Sequence, residues 1–333
     1  MGSGDLHLDE VFSAARRIAG LIRETPMVES PGLAAPNGTS DRSGAPRQVF
    51  LKLESLQNTG AFKVRGAANR ILSLSGEESD RGVITFSTGN HGKAVAFVAH
   101  HCGIPAVVCV SEHVPPYRVE RIRALGAEVV VRGASQDEAE AEYFRLMKER
   151  NLVPVVPFDD PRIIAGQGTI ALEMLRTEPG LDTLLVPLSG GGLLAGVSLT
   201  AKLINPDIRI VGVSISRSPA MLESLNAGRP VAVEERETLA DSLLGGIGVE
   251  NRYTLPIIRD NVDEHVLIDE EEIERAMFYA LAEHSLVIEG GAAVGIAALQ
   301  SGKVSAPGER VGIVISGSSV NLPQYLEVVR KFV

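Results

Sequence analysis

Short apolar segments rich in β-branched residues alternate along this chain with amphipathic stretches of ten or more residues. Such alternation favours right-handed crossovers and mostly parallel sheets that helices cover on both faces, which is an α/β fold. The predicted strands are Gln48–Leu53, Gly82–Phe86, Ala106–Val110, Glu128–Val131, Thr183–Leu188, Ile208–Ser214, Glu264–Ile268 and Arg310–Ile315. The predicted helices are Lys63–Ser73, Gly92–Cys102, Tyr117–Leu125, Asp137–Glu149, Gly166–Arg176, Leu193–Ile204, Asp269–His284 and Ala292–Gln300.

The length of the chain predicts two domains, since 333 residues exceed the usual size of one. The strand–helix units of residues 82–157 form a self-contained block. We therefore expect a small domain at 82–157 inserted into a larger one made of 1–81 and 158–333. The active site is expected in the cleft between them.

The negative net charge of the chain argues against anionic binding partners. A net charge of -10 argues against binding to nucleic acid or an anionic membrane, because both require clustered Lys and Arg. No apolar run is long enough to span a membrane and no signal segment is visible, so we expect a cytoplasmic enzyme. The two cysteines, Cys102 and Cys109, lack metal-ligand spacing and are expected to be reduced.

The first segment that could carry chemistry surrounds Lys63, which follows a predicted strand and the turn at Gly60 and opens a helix. The positive end of a helix dipole lowers the pKa of an ammonium group and so favours a free amine. A free amine is the nucleophile that forms a Schiff base with an aldehyde. Taken alone, the segment fits a surface lysine in a first helical turn better than it fits a nucleophile.

The second segment, Ser87-Thr88-Gly89-Asn90-His91-Gly92, follows a predicted strand and precedes a helix. Backbone N–H groups and short polar side chains at a helix N-terminus favour a carboxylate or phosphate. It is not a Walker A loop, because Ser87 stands where that motif needs glycine. His91 is either a structural cap or a cleft residue.

The third segment, Ser189-Gly190-Gly191-Gly192-Leu193, lies between an apolar strand and a helix. Three consecutive glycines allow the backbone to wrap an anion with its N–H groups. The segment also fits the G-x-G-x-x-A dinucleotide fingerprint, but that motif needs an acid at the end of the next strand. That strand ends at Ser214, so a single phosphate group is favoured.

A fourth segment, Ser316-Gly317-Ser318-Ser319, also follows a buried strand. Open α/β sheets bind their ligands at the carboxyl ends of strands, where all four segments lie. A lysine nucleophile combined with a cradle for one phosphate predicts a phosphorylated aldehyde cofactor.

Together the four segments resemble fold-type II pyridoxal 5'-phosphate enzymes of the threonine dehydratase and serine racemase group. The resemblance implies that Lys63 holds the cofactor as a Schiff base and shuttles the Cα proton, while Phe62 packs on the cofactor ring. It further implies a homodimer, an amino acid substrate and the following contacts. Asn90 binds the phenolic oxygen, the backbone of Ser189, Gly190, Gly191, Gly192 and Leu193 binds the phosphate, Ser316 faces the pyridine nitrogen, and Ser87, Thr88, Asn90 and His91 surround the substrate carboxylate.

The residue at the pyridine nitrogen predicts the reaction type. The neutral hydroxyl of Ser316 stabilises a pyridinium less than a carboxylate would, so the ring is a weaker electron sink. A poorly delocalised carbanion is better relieved by expelling a β-substituent. We therefore expect β-elimination that yields a keto acid and ammonia.

Three departures from the racemase pattern narrow the interpretation. Acids that bind a divalent cation in racemases pair with Ser214 and Ala220, so no metal is expected. Thr88 stands in place of the racemase serine that acts as second acid and base, and its methyl group disfavours racemisation. Ala139 pairs with an arginine that grips the substrate carboxylate in racemases.

The segments Ser87–Gly92 and Ala240–Gly248 look most like those of hydroxyectoine-utilisation dehydratases, and the small Gly245-Gly246 pair leaves room for a substrate bulkier than serine. A hydroxyectoine-derived substrate is therefore one hypothesis. A threonine, serine or 3-hydroxyaspartate dehydratase is a second. A non-catalytic amino-acid-binding protein is a third, against which Lys63 and both anion loops count.

Overall fold

The computed structural model describes residues 6–33, 47–87, 89–112, 114, 116–133 and 136–333. In this part of the chain the strands form two separate sheets, one of six strands and one of four. The four-stranded sheet takes its strands from the middle of the chain, and the six-stranded sheet takes its strands from both sides of it.

The six-stranded sheet has the order β1-β2-β10-β7-β8-β9. Only β1 runs antiparallel, against β2, and the remaining pairs are parallel. The parallel register places Ile313 of β10 opposite both Leu51 of β2 and Leu185 of β7, so the centre of the sheet is apolar. The strands are β1 (Met27–Glu29), β2 (Gln48–Leu53), β7 (Thr183–Pro187), β8 (Arg209–Ile215), β9 (Glu264–Ile268) and β10 (Arg310–Ile315).

The four-stranded sheet is parallel throughout and has the order β5-β4-β3-β6. Its central strand β4 is buried along its whole length. The strands are β3 (Val83–Phe86), β4 (Ala106–Val110), β5 (Glu128–Val131) and β6 (Val153–Pro154). This sheet lies within the block predicted as an inserted domain, although the domain boundaries at 81/82 and 157/158 stay a prediction.

Helices cover both faces of the larger sheet. Leu185 of β7 packs with residues of α11 and α12, whereas its neighbours Leu184 and Val186 pack with α7 and α8, as the alternating sides of a strand require. The helices are α1 (Leu8–Ile18), α2 (Lys63–Ile71), α3 (Gly76–Arg81), α4 (Asn90–Cys102), α5 (Pro116–Arg123), α6 (Gln136–Glu149), α7 (Pro161–Thr177), α8 (Gly192–Ile204), α9 (Ala220–Ala227), α10 (Thr254–Asn261), α11 (Glu270–His284), α12 (Gly290–Gln300) and α13 (Leu322–Arg330).

The α/β fold class is confirmed, and all eight predicted strands are present with ends shifted by at most one residue. The sequence did not predict β1 and β6, which are only three and two residues long. It also missed α1, α3, α9, α10 and α13. Helix α3 buries no residue, so it lacks the apolar periodicity from which helices are predicted. No helix in the described ranges is long and apolar enough to cross a membrane.

Candidate active site

Lys63 is the first residue of α2, at the carboxyl end of β2. Its loop is tied to the loop that follows β10, because the Phe62 N–H donates to the Ser316 carbonyl at 3.0 Å and Ala61 forms a bridge with Gly317. Since β2 and β10 are parallel neighbours, two of the predicted segments meet at one edge of the sheet. The predicted position of Lys63 at the start of a helix is confirmed.

The Lys63 amine is held inside the molecule. Its Nζ donates to the Pro157 carbonyl at 2.8 Å and lies 5.2 Å from the centre of the Phe62 ring. Burial lowers the pKa of Lys63 to about 8, and the negative charge of Glu289 acts in the opposite direction. Burial is therefore the main cause, while the contribution of the helix dipole invoked from the sequence stays a prediction. The consequence is the expected one, since an appreciable fraction of the amine is unprotonated near neutral pH.

The three glycines form the start of α8. Gly191 caps the helix with a φ of +93°, a left-handed conformation that an L side chain adopts only with strain, and no side chain caps the helix. The first backbone N–H groups of a helix have no partner within it, so those of Gly192 and Leu193 are available to an anion. Ser189 is half-buried, and Leu193 is buried.

Phe158 connects the glycine segment to Lys63. A Cβ atom added to Gly190 would lie 2.4 Å from the Phe158 ring, and one added to Gly192 would lie 2.9 Å from its backbone. The preceding residue, Pro157, accepts the hydrogen bond of the Lys63 amine. The absence of side chains at Gly190 and Gly192 therefore lets the 157–158 segment lie between the amine and the anion cradle.

The second predicted segment begins α4, which starts at Asn90, two residues earlier than predicted. Ser87 is half-buried, and its hydroxyl accepts a hydrogen bond from the Gly89 N–H at 3.4 Å. Thr88, predicted as a catalytic and substrate-binding residue, lies outside the described residues. Asn90 belongs to the first turn of the helix, where its amide donates to Glu289 beside the larger sheet.

His91 is buried rather than open to the cleft. Its Nε2 lies 2.9 Å from the Val155 carbonyl, and its Nδ1 has no hydrogen-bond partner in the described part of the chain. Burial lowers the pKa of His91 to about 3, with the positive charge of Lys63 acting in the same direction. The ring is therefore neutral, donates through Nε2 and presents Nδ1 as an acceptor.

Sequence reasoning missed Glu289, the carboxylate that lies among these segments. It receives hydrogen bonds from the Asn90 amide at 2.9 and 3.1 Å and from the Ser319 N–H at 2.8 Å. The signal in the sequence was a single acid between Val287-Ile288 and Gly290-Gly291, at the start of the apolar helix α12. Nothing local in that pattern shows that Asn90, almost 200 residues earlier, would meet it.

The remaining predicted residues are less closely connected to this cluster. Ser316 is buried at the end of β10, beside Phe62. Gly245 follows a short 3-10 helix, Asp241–Leu243. A Cβ atom added to Gly291 would lie 2.3 Å from the Ser242 hydroxyl oxygen, so this segment packs against the start of α12. Of the two positions predicted to lack metal-binding acids, Ser214 donates its hydroxyl to the Leu188 carbonyl at 2.8 Å, and Ala220 begins α9. The absence of a metal stays a prediction.

A buried amine of depressed pKa beside an uncapped, glycine-lined helix N-terminus defines the class of lysine enzymes that bind a phosphorylated aldehyde. The residues present fit that cofactor, since the cradle is free of side chains and the amine is nucleophilic near neutral pH.

Comparison with known proteins identifies the family. Residues 18–317 match the family described as Pyridoxal-phosphate dependent enzyme. The chain is 38% identical over 326 residues to the L-threonine ammonia-lyase of Thermotoga maritima, covering 97% of this chain and 78% of that protein. Maize serine racemase superposes with a TM-score of 0.88 and 34% identity over 97% of each chain. Threonine deaminase isoform 2 from Solanum lycopersicum superposes with a TM-score of 0.85 and 30% identity, covering 99% of this chain and 95% of that one.

The chain therefore belongs to the pyridoxal-phosphate-dependent enzyme family. Within it, the chain is similar to the threonine dehydratase and serine racemase group and has the fold-type II architecture of that group. It is a lyase that uses pyridoxal phosphate. The predicted fold, cofactor and enzyme class are confirmed.

Proposed function

We propose that the protein removes water and ammonia from a small β-hydroxy amino acid, of which threonine and serine are the best-supported examples. Overall, Cα loses a proton, the β-hydroxyl leaves as water, and one water hydrolyses the released enamine to a 2-keto acid and ammonium. Relatives named L-threonine ammonia-lyase and threonine dehydratase support this substrate class. The structural observation that carries the proposal is the buried Lys63 amine, whose neighbour Phe62 is bonded to the Ser316 carbonyl.

The residues of the site divide the work in the following way. Lys63 would hold the aldehyde carbon of the cofactor through its amine and would move the proton to and from Cα. The backbone N–H groups at the start of α8 would bind the phosphate, assisted by the positive end of the helix dipole. Phe62 would pack against the cofactor ring, and Asn90 would donate to its phenolic oxygen. When bound, pyridoxal phosphate supplies the electron sink that stabilises negative charge at Cα.

Ser316 favours elimination over transamination. It is a neutral hydroxyl, 3% exposed, placed where the resemblance puts the pyridine nitrogen. A carboxylate there would hold the ring as a cation and let a carbanion persist, whereas a hydroxyl does not. Charge that accumulates at Cα is then best discharged by expelling the β-hydroxyl.

The substrate carboxylate is assigned to the start of α4. The side chains of Ser87, Thr88 and Asn90 and the N–H groups of that first turn would bind it. Buried His91 supports the turn from behind through the Val155 carbonyl. His91 is not assigned as a base, because its pKa of about 3 leaves it a very weak proton acceptor.

A second candidate substrate is a hydroxyectoine-derived β-hydroxy amino acid. The observation that favours it is the open space at Gly245 and Gly246: a Cβ added to Gly245 would meet no atom within 4 Å, and one added to Gly246 only an atom at 4.0 Å. A substrate with a bulky substituent could extend over this pair.

A substrate panel on the purified holoenzyme tests the proposal. Keto acid and ammonia released from threonine, serine and 3-hydroxyaspartate are compared with the products formed from hydroxyectoine and its ring-opened form, by mass spectrometry. Greatest kcat/KM on threonine or serine supports the first candidate, and greatest kcat/KM on the ring-opened compound supports the second. Absence of elimination from every compound would contradict both.

The Gly245 argument has its own test. Gly246→Val places a branched side chain beside the open space. It should lower kcat/KM for the bulky substrate more than for serine. Equal losses for both would show that the Gly245-Gly246 pair does not face the substrate.

A further inference from the structure

Glu289 is a buried acid at the junction of the two sheets, only 5% exposed, and it carries no assigned role so far. Its backbone N–H donates to the Gly317 carbonyl at 3.2 Å, which places it beside the loop that follows β10. A Cβ atom added to Gly317 would lie 2.8 Å from its carboxylate. The side chain therefore lies directly against the loop that is tied to Phe62.

The carboxylate is surrounded by hydrogen-bond donors but by no bonded cation. It accepts from the Asn90 amide and the Ser319 N–H. In the described ranges, no lysine or arginine forms an ion pair with it. A buried carboxylate without a cation is costly to ionise. Burial accordingly raises the pKa of Glu289, although its hydrogen bonds oppose the change.

The same bonds fix the Asn90 amide. Its Nδ2 donates to both oxygens of Glu289, while its Oδ1 accepts from the Ser319 hydroxyl at 2.5 Å. Lys93 in turn donates to that hydroxyl oxygen at 3.0 Å. An amide flipped by 180° would direct its carbonyl oxygen at a carboxylate, so Glu289 determines which way Asn90 points. A single Nδ2 proton shared between the two carboxylate oxygens would leave the second Nδ2 proton for another acceptor.

Glu289 also acts on the nearby lysine. Its charge is the one that favours the protonated form of Lys63, against the effect of burial. The other charged groups near Glu289 are Lys93 on α4 and Asp241 on the 3-10 helix, and Asp241 is itself paired with Arg118 of α5 at 2.8 Å. With Asp241 paired to Arg118, Glu289 is the negative charge that acts on the Lys63 amine.

We propose that Glu289 is a positioning residue for the elimination: it orients the Asn90 amide toward the cofactor and sets how readily the Lys63 amine holds its proton. The inference rests on the proposed roles of Lys63 and Asn90. One side chain would thereby act on two groups of the site, the Asn90 amide and the Lys63 amine.

The first experiment measures the amine without turnover. Apoprotein is mixed with pyridoxal phosphate, and the rate at which the bound chromophore forms is recorded against pH. In the wild-type protein the rate should rise with the loss of the Lys63 proton, near pH 8. In Glu289→Gln the midpoint should move down by about one unit, because the negative charge that favours the ammonium form is gone.

Two further variants complete this experiment. Glu289→Asp keeps the charge and should keep a midpoint close to that of the wild type. Glu283→Gln removes an equal charge from an exposed position on α11 and should leave the midpoint unchanged. An unchanged or raised midpoint in Glu289→Gln would overturn the electrostatic part of the proposal. If no chromophore forms in the wild-type protein, the assignment of Lys63 fails instead, so the two failures are distinguishable.

The second experiment isolates the orienting role and does not depend on the folding of Glu289→Gln. Glu289→Asp retains the negative charge but shortens the side chain by one methylene, which draws the carboxylate away from the Asn90 amide. Its midpoint should stay close to that of the wild type, while kcat should fall by about 10-fold, because the Asn90 amide that contacts the cofactor is misplaced. An unchanged kcat would overturn the orienting role.

Discussion

Two groups of buried ionisable side chains each include one residue of the first turn of α2, and their pKa values respond to burial in opposite ways. The α2 anchor consists of Lys52, Glu54, Arg65 and Glu173. The reactive cluster consists of Lys63, His91 and Glu289. Lys63 and Arg65 are only two residues apart, so the difference between the two groups comes from their partners and not from depth alone.

In the α2 anchor, each charge is matched. Arg65 binds Glu54 through two bonds of 2.8 Å and binds Glu173 through bonds of 2.6 and 2.7 Å. Lys52 completes the set by donating to Glu173 at 2.5 Å. Burial opposes the ionisation of Glu54, but the charge and hydrogen bonds of Arg65 outweigh it and lower its pKa. The pKa of Lys52 is the exception, since burial lowers it despite Glu173.

In the reactive cluster, burial wins. It lowers the pKa of Lys63 to about 8 and that of His91 to about 3, and it raises the pKa of Glu289. Each of these shifts favours the neutral form. The comparison shows that paired charges fix α2, whereas burial without an ion pair shifts the groups of the reactive cluster toward their neutral forms.

The largest effect is expected at Lys63, which the comparison places among reactive groups rather than structural ones. Lys63→Ala should lower the rate of keto acid release by about 1,000-fold or more, because it removes both the point of cofactor attachment and the proton carrier. The protein should remain folded by circular dichroism. The matched control is Lys148→Ala on the exposed side of α6, which should retain full activity. Retained turnover in Lys63→Ala would show that Lys63 does not belong to the reactive groups.

The next effect is expected at Arg65, where the comparison predicts a loss of stability. Arg65→Met should lower the free energy of unfolding by about 3–5 kcal/mol, because Glu54 is left buried without its cation. Denaturant unfolding of the apoprotein measures this. Arg150→Met breaks the exposed ion pair with Glu128 and should cost about 1 kcal/mol or less. Equal losses in the two variants would show that the α2 anchor does not stabilise the fold.

A smaller effect concerns pH and His91. Because its pKa of about 3 in the folded protein lies below the ordinary 6.5, the unfolded chain binds a proton that the folded protein does not as pH falls below 6.5. His91 should therefore remove about 2 kcal/mol of stability between pH 6.5 and pH 5. His91→Gln should unfold with a weaker dependence on acid over this range, whereas exposed His101→Gln should match the wild type. An identical acid dependence in His91→Gln would contradict the buried, neutral ring.

The sequence predicted those parts of the site that depend on short local sequence patterns. Lys63 at the start of a helix and the glycines of residues 190–192 follow strands, and parallel sheets bring such ends together. The α2 anchor and Glu289 could not be predicted in this way, because their bonds join residues far apart in the chain: Arg65 to Glu173 and Asn90 to Glu289. The burial of His91 depends on Val155, a contact between the start of α4 and the segment after β6 that no local pattern shows.

The α2 anchor also fixes the backbone position of Lys63, although the Lys63 amine itself makes a single hydrogen bond. Its amine has a hydrogen bond to one carbonyl, but its helix is attached two residues later by the four bonds of Arg65 to two glutamates. The amine is left free to react, while the backbone that carries it is fixed.

The most direct test of the central claim is to locate the cofactor on the chain. Holoenzyme is reduced with borohydride, digested and examined by mass spectrometry. The account predicts a pyridoxyl phosphate adduct on the peptide that contains Lys63, and none on the peptide that contains the buried but paired Lys52. An adduct on any other lysine, or no adduct in a protein that turns over substrate, would contradict it.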